Sequence, residues 1–433
     1  MQMPDAPRPG AGLTRREVLK RGSAFAAAAA VPSLLAARPA AGAGSTIKIG
    51  FIALTDCSSV VMAHELGHYK KRGLDVQLIK QASWPATRDA LLNGDIDMAH
   101  GLFSLPLSVA LGIGGSGSSK IKIAMMLNQN GQAITLKKDF ASAGYGNLKT
   151  AKAAIKGGEG QTFAMTFPGG THDTWLRYWL KAMGVDMATP KIIPIPPPQM
   201  VANMQVGNMD GFCVGEPWGG VAAQKGIGFT AIATQDIWKH HPEKALLVNA
   251  DFAASRRADL KKVMGAVLEA SKWLDYPWNR AKTADIVGRG EYINAPSQVI
   301  EDRLNGKYDL GAGLGTKKFV GDQMRFCRGG AVNFPRKSHA IWFMAQYVRF
   351  GLLKSEPNYN AIAKDLILTD PTGKSRRPRR WPSRATTWRR SRSSSTASRS
   401  TRRSRRRRRS GSEPRADELR GGLGDRRVLR PGA

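Results

Sequence analysis

The chain has 433 residues, 42% of them hydrophobic, and a formal charge of +33. Its length and apolar content exclude a wholly disordered protein and allow two or three domain-sized units. Residues 374–433 carry a net charge of +18 and residues 1–43 carry +4, so residues 44–373 carry only +11. The body is therefore mildly basic, which favours an anionic ligand without requiring a polyanion.

The N-terminus has the layout of an export signal. The pair Arg15-Arg16 precedes an apolar stretch, Ala24–Ala37, and Ala41-Gly42-Ala43 follows as a small-residue cleavage site. This order predicts a twin-arginine signal peptide over residues 1–43. The apolar stretch is too short for a membrane span, and no cysteine follows it to carry a lipid anchor. We expect the twin-arginine machinery to export the chain to the periplasm, with maturation near Gly44.

The C-terminus changes composition abruptly. After Gly373 the sequence is rich in Arg, Ser and Pro, with an unbroken arginine run at residues 405–409. Such a segment cannot bury enough apolar surface to fold, so we predict a disordered Arg-rich tail over residues 371–433. A nucleic-acid tail, a membrane-surface tail and a shifted reading frame all remain open, and the abrupt change favours the frameshift product. The body shows no basic aromatic motif, so no nucleic acid is expected there.

The body alternates predicted strands and helices. The first set comprises the strands Ile47–Leu54, Leu74–Ile79 and Ile96–Ala99 and the helices Val60–Lys71 and Pro85–Leu92. The second set comprises the strands Thr162–Phe167, Ile192–Ile195, Asp210–Val214 and Thr230–Ala233 and the helices His172–Met183 and Gln199–Gln205. From about Asp236 the chain is predicted to be mostly helical, most clearly at Leu260–Leu274.

Two strand–helix–strand sets followed by a helical return predict an α/β protein. Its two lobes would face each other across a cleft. We assign residues 44–135 and 236–370 to lobe 1 and residues 136–235 to lobe 2.

No motif for covalent, acid–base or nucleotide chemistry is present, so an enzyme is not predicted. His64 and His68 share a helix face but lack the further ligands that a metal needs, so no metal site is predicted. An anion site is better supported at Gly170, Thr171 and His172, which follow a strand and open a helix. Backbone N–H groups and the helix dipole favour an anion there, although Thr171 or Asp173 could instead only cap the helix.

Other polar groups could reach the same cleft. Trp84 follows the second strand at its cleft-facing end, and Gln129 lies in a polar loop between two apolar runs. Lys239 and Lys244 supply cations where the chain returns to lobe 1. A neighbouring acid, Glu216 or Glu243, could also enter the site.

At these residues the chain resembles a known family. The resemblance covers about Ile47 to Asp370 and rests on these runs: Lys48–Ile52, Leu54–Cys57, Ala82–Trp84, Pro196–Met204 (PPPQMVANM), Phe212–Trp218 (FCVGEPW) and His241–Lys244. They resemble the nitrate-binding family of periplasmic proteins of ABC transporters, which also includes bicarbonate binders. After Thr369-Asp370 the chain departs from the family's acid-balanced ending.

The resemblance implies a type II periplasmic-binding fold that closes on a small oxyanion and docks on an inner-membrane ABC permease with its ATPase. It also implies a pocket of one tryptophan, one glutamine, one histidine and one lysine. Those residues correspond here to Trp84, Gln129 and His172, with Lys244 favoured over Lys239.

The ligand expected from these residues is nitrate or nitrite, without a cofactor. The relatives that bind bicarbonate replace the pocket lysine with an acid that can hold calcium, so calcium-assisted bicarbonate binding is the alternative. A cytoplasmic nitrate sensor is disfavoured by the export signal. A pyrimidine-synthesis enzyme of the same fold would need a histidine- and cysteine-bearing site that the sequence does not offer.

Overall fold

The computed structural model describes residues 45–368 of the chain. The predicted signal peptide (1–43) and Arg-rich tail (371–433) lie outside these residues. Between residues 45 and 368, none of the helices has the length and apolarity needed to cross a bilayer.

Short strands build two main sheets and one small hairpin. In chain order they are β1 Ile47–Phe51, β2 Val76–Lys80, β3 Met98–Leu102, β4 Ile121–Met126, β5 Gln132–Lys137, β6 Thr162–Met165, β7 Lys191–Pro194, β8 Gly211–Gly215, β9 Gly228–Ala233, β10 Lys244–Asn249, β11 Lys307–Asp309 and β12 Thr316–Lys318.

Helices cover the sheets. In chain order they are α1 Ser58–Glu65, α2 Trp84–Asn93, α3 Leu105–Ala110, α4 Leu148–Ala154, α5 Thr171–Ala182, α6 Met200–Gln205, α7 Trp218–Gln224, α8 Thr234–Ile237, α9 Ala250–Ser255, α10 Arg257–Leu274, α11 Arg280–Val287, α12 Ser297–Leu304, α13 Lys337–Arg349 and α14 Tyr359–Leu366.

The two main sheets follow one plan. The first has the order β2-β1-β3-β10-β4, and the second has the order β7-β6-β8-β5-β9. In each sheet four strands run in one direction, and the fourth strand in the order runs antiparallel to both of its neighbours. The expected α/β architecture of two lobes is confirmed.

Local sequence explains the element boundaries. Ser83 accepts a hydrogen bond from the N–H of Ala86 and so caps α2, and Gly94 ends that helix with a φ of 74°. Helices commonly end at a residue whose backbone has the left-handed conformation, and glycine adopts that conformation at little cost in energy. The predicted helices Pro85–Leu92 and His172–Met183 are accordingly found within one residue at each end.

Two sequence predictions are wrong at the antiparallel strands β10 and β5. Residues 244–249, expected in a mostly helical region, form the buried strand β10 between β3 and β4. The apolar run Ala245–Val248 is too short to show a periodicity that separates a buried strand from a helix. Residues 132–135, assigned to lobe 1, belong to β5 and pair with the second sheet. The chain therefore crosses between the sheets after Met126.

The lobes lie against each other through hydrogen bonds. The indole N–H of Trp218, at the start of α7, donates to the carbonyl of Ala53 at 2.9 Å. The N–H of Thr55 donates to the carbonyl of Glu216 at 2.7 Å. These bonds bring the loop after β1 into contact with the loop after β8.

Candidate functional site

A buried ammonium group lies where the two sheets meet. Lys244 is the first residue of β10, and its side chain is completely buried. Its Nζ lies 2.7 Å from Oδ2 of Asp56 and also contacts Oε1 of Glu243. An unpaired ammonium in the protein interior is very unfavourable, so these two buried carboxylates compensate it.

Each carboxylate also faces an imidazole. Nε2 of His100, in β3, donates to Oδ1 of Asp56 at 2.7 Å. Nε2 of His172, in the first turn of α5, lies 3.5 Å from Oε1 of Glu243. We call these five side chains the charge row, in the order His100, Asp56, Lys244, Glu243, His172.

The charge row is mutually stabilised. Burial opposes the charge on Asp56 and on Glu243, but Lys244 and the neighbouring imidazoles together outweigh it, so the pKa of both carboxyl groups is lowered. Burial also opposes the charge on Lys244, yet the two carboxylates raise its pKa. All three groups are therefore charged at neutral pH.

The two imidazoles of the charge row are neutral. Burial lowers the pKa of His100 and of His172, although Asp56 and Glu243 act in the opposite direction. Two carboxylates and one ammonium then leave the row with one net negative charge.

The helix start at α5 brings the hydroxyl of Thr171 to the row. Gly170 precedes the helix, where a Cβ would lie 2.8 Å from Leu102 and 2.9 Å from the carbonyl of Phe167. Asp173 accepts a hydrogen bond from the N–H of Gly169 at 2.8 Å, whereas the hydroxyl of Thr171 donates to Glu243 at 3.1 Å. Asp173 therefore fixes the loop that precedes α5, and the hydroxyl of Thr171 faces the charge row.

Two further side chains complete the cluster. Trp84 begins α2, with its ring 5.8 Å from Nζ of Lys244 and 5.8 Å from the ring of His100. Gln132, at the start of β5, donates from Nε2 to Thr171 at 3.2 Å. Both side chains are buried. Lobe 1 thus supplies a tryptophan and lobe 2 an amide.

Among the described residues, five buried polar atoms of this cluster are unpaired. Within residues 45–368 no hydrogen-bond partner exists for the buried atoms Trp84 Nε1, His100 Nδ1, Gln132 Oε1, Glu243 Oε2 and His172 Nε2. Buried polar atoms are normally paired, so a group of five indicates a place where a small polar ligand supplies the partners. Both donors and acceptors are among them.

The structure brings together five of the predicted site residues: Trp84, Gly170, Thr171, His172 and Lys244. Three others lie elsewhere. Lys239 is 70% exposed and pairs with Asp322 at 3.1 Å, because it precedes the turn into β10. Of the two lysines considered, Lys244 is the one in the cluster.

Gln129 and Glu216 also point away from the charge row. Oε1 of Gln129 accepts a hydrogen bond from Arg328 at 3.4 Å, since its backbone lies in the crossing segment between the sheets. The carboxylate of Glu216 lies 3.5 Å from the guanidinium of Arg303, and burial raises its pKa. Gln132, three residues beyond Gln129, is the amide that reaches the cluster.

Sequence reasoning missed Asp56, His100 and Gln132 as site residues. Asp56 follows β1, and the strand ends of a parallel sheet are where ligand contacts collect. Asp56 also lies in Leu54–Cys57, one of the runs that carry the family resemblance, and this position could have indicated it. His100 and Gln132 lie inside strands and carry no comparable signal.

Comparison with known proteins agrees with this geometry. The model of the NMT1-like family matches residues 40–288. The nitrate/nitrite binding protein NrtA of Synechocystis is 38% identical over 329 residues, which cover 73% of each chain. The crystal structure of the periplasmic nitrate-binding protein NrtA from Synechocystis matches with a TM-score of 0.72, covering 75% of this chain and 86% of that one.

Two other relatives extend the comparison. The bicarbonate-binding protein CmpA of Synechococcus elongatus is 31% identical over 71% of this chain and 72% of its own. The nitrate import ATP-binding protein NrtC of Synechocystis is 32% identical over 78% of this chain and half of its own. The chain therefore belongs to the NMT1-like family, among the periplasmic solute-binding proteins that include the nitrate- and bicarbonate-binding proteins.

Proposed function

We propose that this protein is the periplasmic solute-binding component of an ABC importer and that it captures nitrate or nitrite. The observation that carries the proposal is the buried ammonium of Lys244 between the lobes, with the unpaired Nε1 of Trp84 and Nε2 of His172 in the same cluster. A planar monoanion accepts hydrogen bonds from such donors without a metal. The 38% identity to a nitrate/nitrite binding protein supports the same ligand.

The mechanism is closure of the lobes around the anion. Lobe 1 contributes Lys244 and Trp84, and lobe 2 contributes His172 and Gln132, so an anion bound to both sets is held only when the lobes meet. Its contacts then favour the closed form by the difference in affinity between the closed and open forms. The protein acts by binding and carries out no catalysis. The closed form docks on an inner-membrane permease, and similarity to an ATP-binding protein of nitrate import supports an ABC partner.

The first 43 residues support delivery to the periplasm. Arg15-Arg16, the apolar stretch and the Ala41-Gly42-Ala43 site are typical of a twin-arginine signal, so the chain would fold before export. Within the described chain, lobe 1 then consists of residues 45–131 and 236–368, and lobe 2 of residues 132–235, which follows the pairing of β5.

Calcium-assisted bicarbonate binding is the second candidate. The unpaired Oε2 of Glu243 and Oε1 of Gln132 are acceptors, and bicarbonate would offer them an O–H. However, the ammonium of Lys244 occupies the place between Asp56 and Glu243 where a divalent cation would have to lie. Among the residues described, no group of three or more His, Cys, Asp or Glu is arranged to hold a metal ion. The residues present therefore do not fit calcium.

Calorimetric titration tests the proposal. The purified chain is titrated with nitrate, nitrite and bicarbonate, each with and without calcium. We expect nitrate or nitrite to bind with an affinity that calcium leaves unchanged. Bicarbonate binding that requires calcium, with no heat from nitrate, would overturn the proposed ligand.

A further inference from the structure

The charge row contains more negative charge than an anion site needs. Asp56 and Glu243 both contact Lys244, and all three side chains are completely buried. A monoanion would add a second uncompensated negative charge to a region shielded from water, which is costly in a protein interior. The positive N-terminal ends of α2 and α5 offset only part of this charge.

Three buried histidines near the row could accept a proton. His241 is the first, and both of its ring nitrogens have partners: Oγ1 of Thr234 at 2.7 Å and the carbonyl of Pro242 at 3.1 Å. His172 is the second. Its Nδ1 contacts the hydroxyl of Thr166 at 2.5 Å, and it lies at the positive end of α5, where a cation is disfavoured.

His100 is the third. Unlike His241 it has a ring nitrogen without a partner among the described residues, and unlike His172 its other ring nitrogen is hydrogen-bonded to a carboxylate. It lies inside β3, and its Nε2 donates to the carboxylate of Asp56 at 2.7 Å. Its Nδ1 is buried and has no hydrogen-bond partner within residues 45–368. A proton at Nδ1 would therefore gain an acceptor when an anion binds beside it.

We infer that the site takes up one proton together with its anion and that His100 holds this proton on Nδ1. The inference rests on the proposed function as a receptor for a small oxyanion. The proton comes from solvent, no covalent bond to the anion forms, and the imidazolium donates one N–H to Asp56 and the other to the anion. The bound anion and proton together leave the net charge of the cluster unchanged.

The surroundings of His100 set the pH dependence. It faces Asp56 from the loop after β1, Trp84 from α2, and Lys244 and Glu243 at the start of β10. Burial lowers the pKa of His100 in the absence of a ligand, and a neighbouring anion raises it again. Between the pKa of the unliganded imidazole and that of the liganded one, binding would take up about one proton and Kd would rise about tenfold for each pH unit.

Calorimetry of nitrate binding measures the proton directly. Titrations of the full chain at one pH, in two buffers of different ionisation enthalpy, give the number of protons taken up per anion. We expect about one proton per bound nitrate for the natural chain and about none for His100→Gln. The glutamine keeps a donor towards Asp56 but cannot be protonated. The matched control is His64→Gln in α1, outside the charge row, where uptake is unchanged.

The possible results distinguish proton uptake, its assignment to His100 and oxyanion binding itself. Nitrate binding without proton uptake overturns this inference and leaves the proposed function intact. Uptake that persists in His100→Gln and disappears in His172→Gln overturns the assignment to His100. If His100→Gln does not fold, the imidazole nitrogen shifts of His100 in the natural chain, with and without nitrate, give the same test. A chain that binds no oxyanion at all refutes the proposed function instead.

Discussion

The ammonium nitrogen of Lys244 lies 2.7 Å from the carboxylate of Asp56, although 188 residues separate them in sequence. Lys244 begins the antiparallel strand inserted into the first sheet, and Asp56 follows the first strand of that sheet. Neither side chain is exposed. Each charge is therefore tolerated in the interior because the other compensates it, with Glu243 as the second carboxylate beside the ammonium.

Replacing Lys244 tests that dependence. We expect Lys244→Met to lower the free energy of unfolding by about 3–5 kcal/mol, because it leaves Asp56 and Glu243 as unpaired buried carboxylates. Nitrate binding would be lost as well. Urea unfolding and calorimetry measure the two effects. The matched control is Lys239→Met: this lysine is 70% exposed, so we expect a change below about 0.5 kcal/mol. Equal losses of stability and of nitrate binding in the two variants would contradict the placement of the ligand site at Lys244.

The indole of Trp218 is predicted to stabilise closure. Its N–H donates to the carbonyl of Ala53 across the lobes, and Trp218→Phe removes this hydrogen bond while keeping an aromatic ring. A lost hydrogen bond of about 1 kcal/mol corresponds to about a fivefold weaker affinity, and water can satisfy Ala53 once the lobes open. Stopped-flow measurements should show that the loss of affinity comes from faster release of nitrate. Trp273→Phe, in the half-buried last turn of α10, is the control and should leave the release rate unchanged.

Gly215 permits the close approach of the lobes. A Cβ at this position would lie 3.0 Å from Oδ2 of Asp56 and 3.6 Å from Nε2 of His172. We expect Gly215→Ala to weaken nitrate affinity by about tenfold or more, since two lobes held apart lose contacts on both sides of the ligand. Small-angle scattering with saturating nitrate would then show a less compact chain. Gly265→Ala, within α10 and outside the cluster, is the control and should leave nitrate affinity unchanged.

Buried histidines predict a loss of stability in mild acid. Burial lowers the pKa of His241 from 6.5 to about 4. A histidine whose folded pKa is depressed takes up its proton more readily in the unfolded chain, so the free energy of unfolding falls as pH drops below about 6.5. His241 accounts for about 2 kcal/mol between about pH 6.5 and pH 5. Urea midpoints without ligand should fall over this range, and less so in His241→Gln. A midpoint independent of pH would contradict the prediction.

Much of the fold could be predicted from local sequence, because its signals are local. Glycines after helical runs, such as Gly94, mark helix ends, and the Gly170-Thr171-His172 segment marks the start of α5. The inserted strand β10 could not be found in this way. Its pairing partners β3 and β4 lie far away in sequence, and a short apolar run gives no period that would identify a strand.

The sequence by itself determined the family, the two-lobed α/β architecture, and Trp84, His172 and Lys244 as candidate site residues. Only the tertiary structure decided which polar groups converge. It selected Gln132 over Gln129, Lys244 over Lys239 and Glu243 over Glu216, and it revealed Asp56 and His100 in the same cluster. The physical reason is that a buried charge is compensated by groups close in space, and strand pairing across the two sheets decides which groups those are.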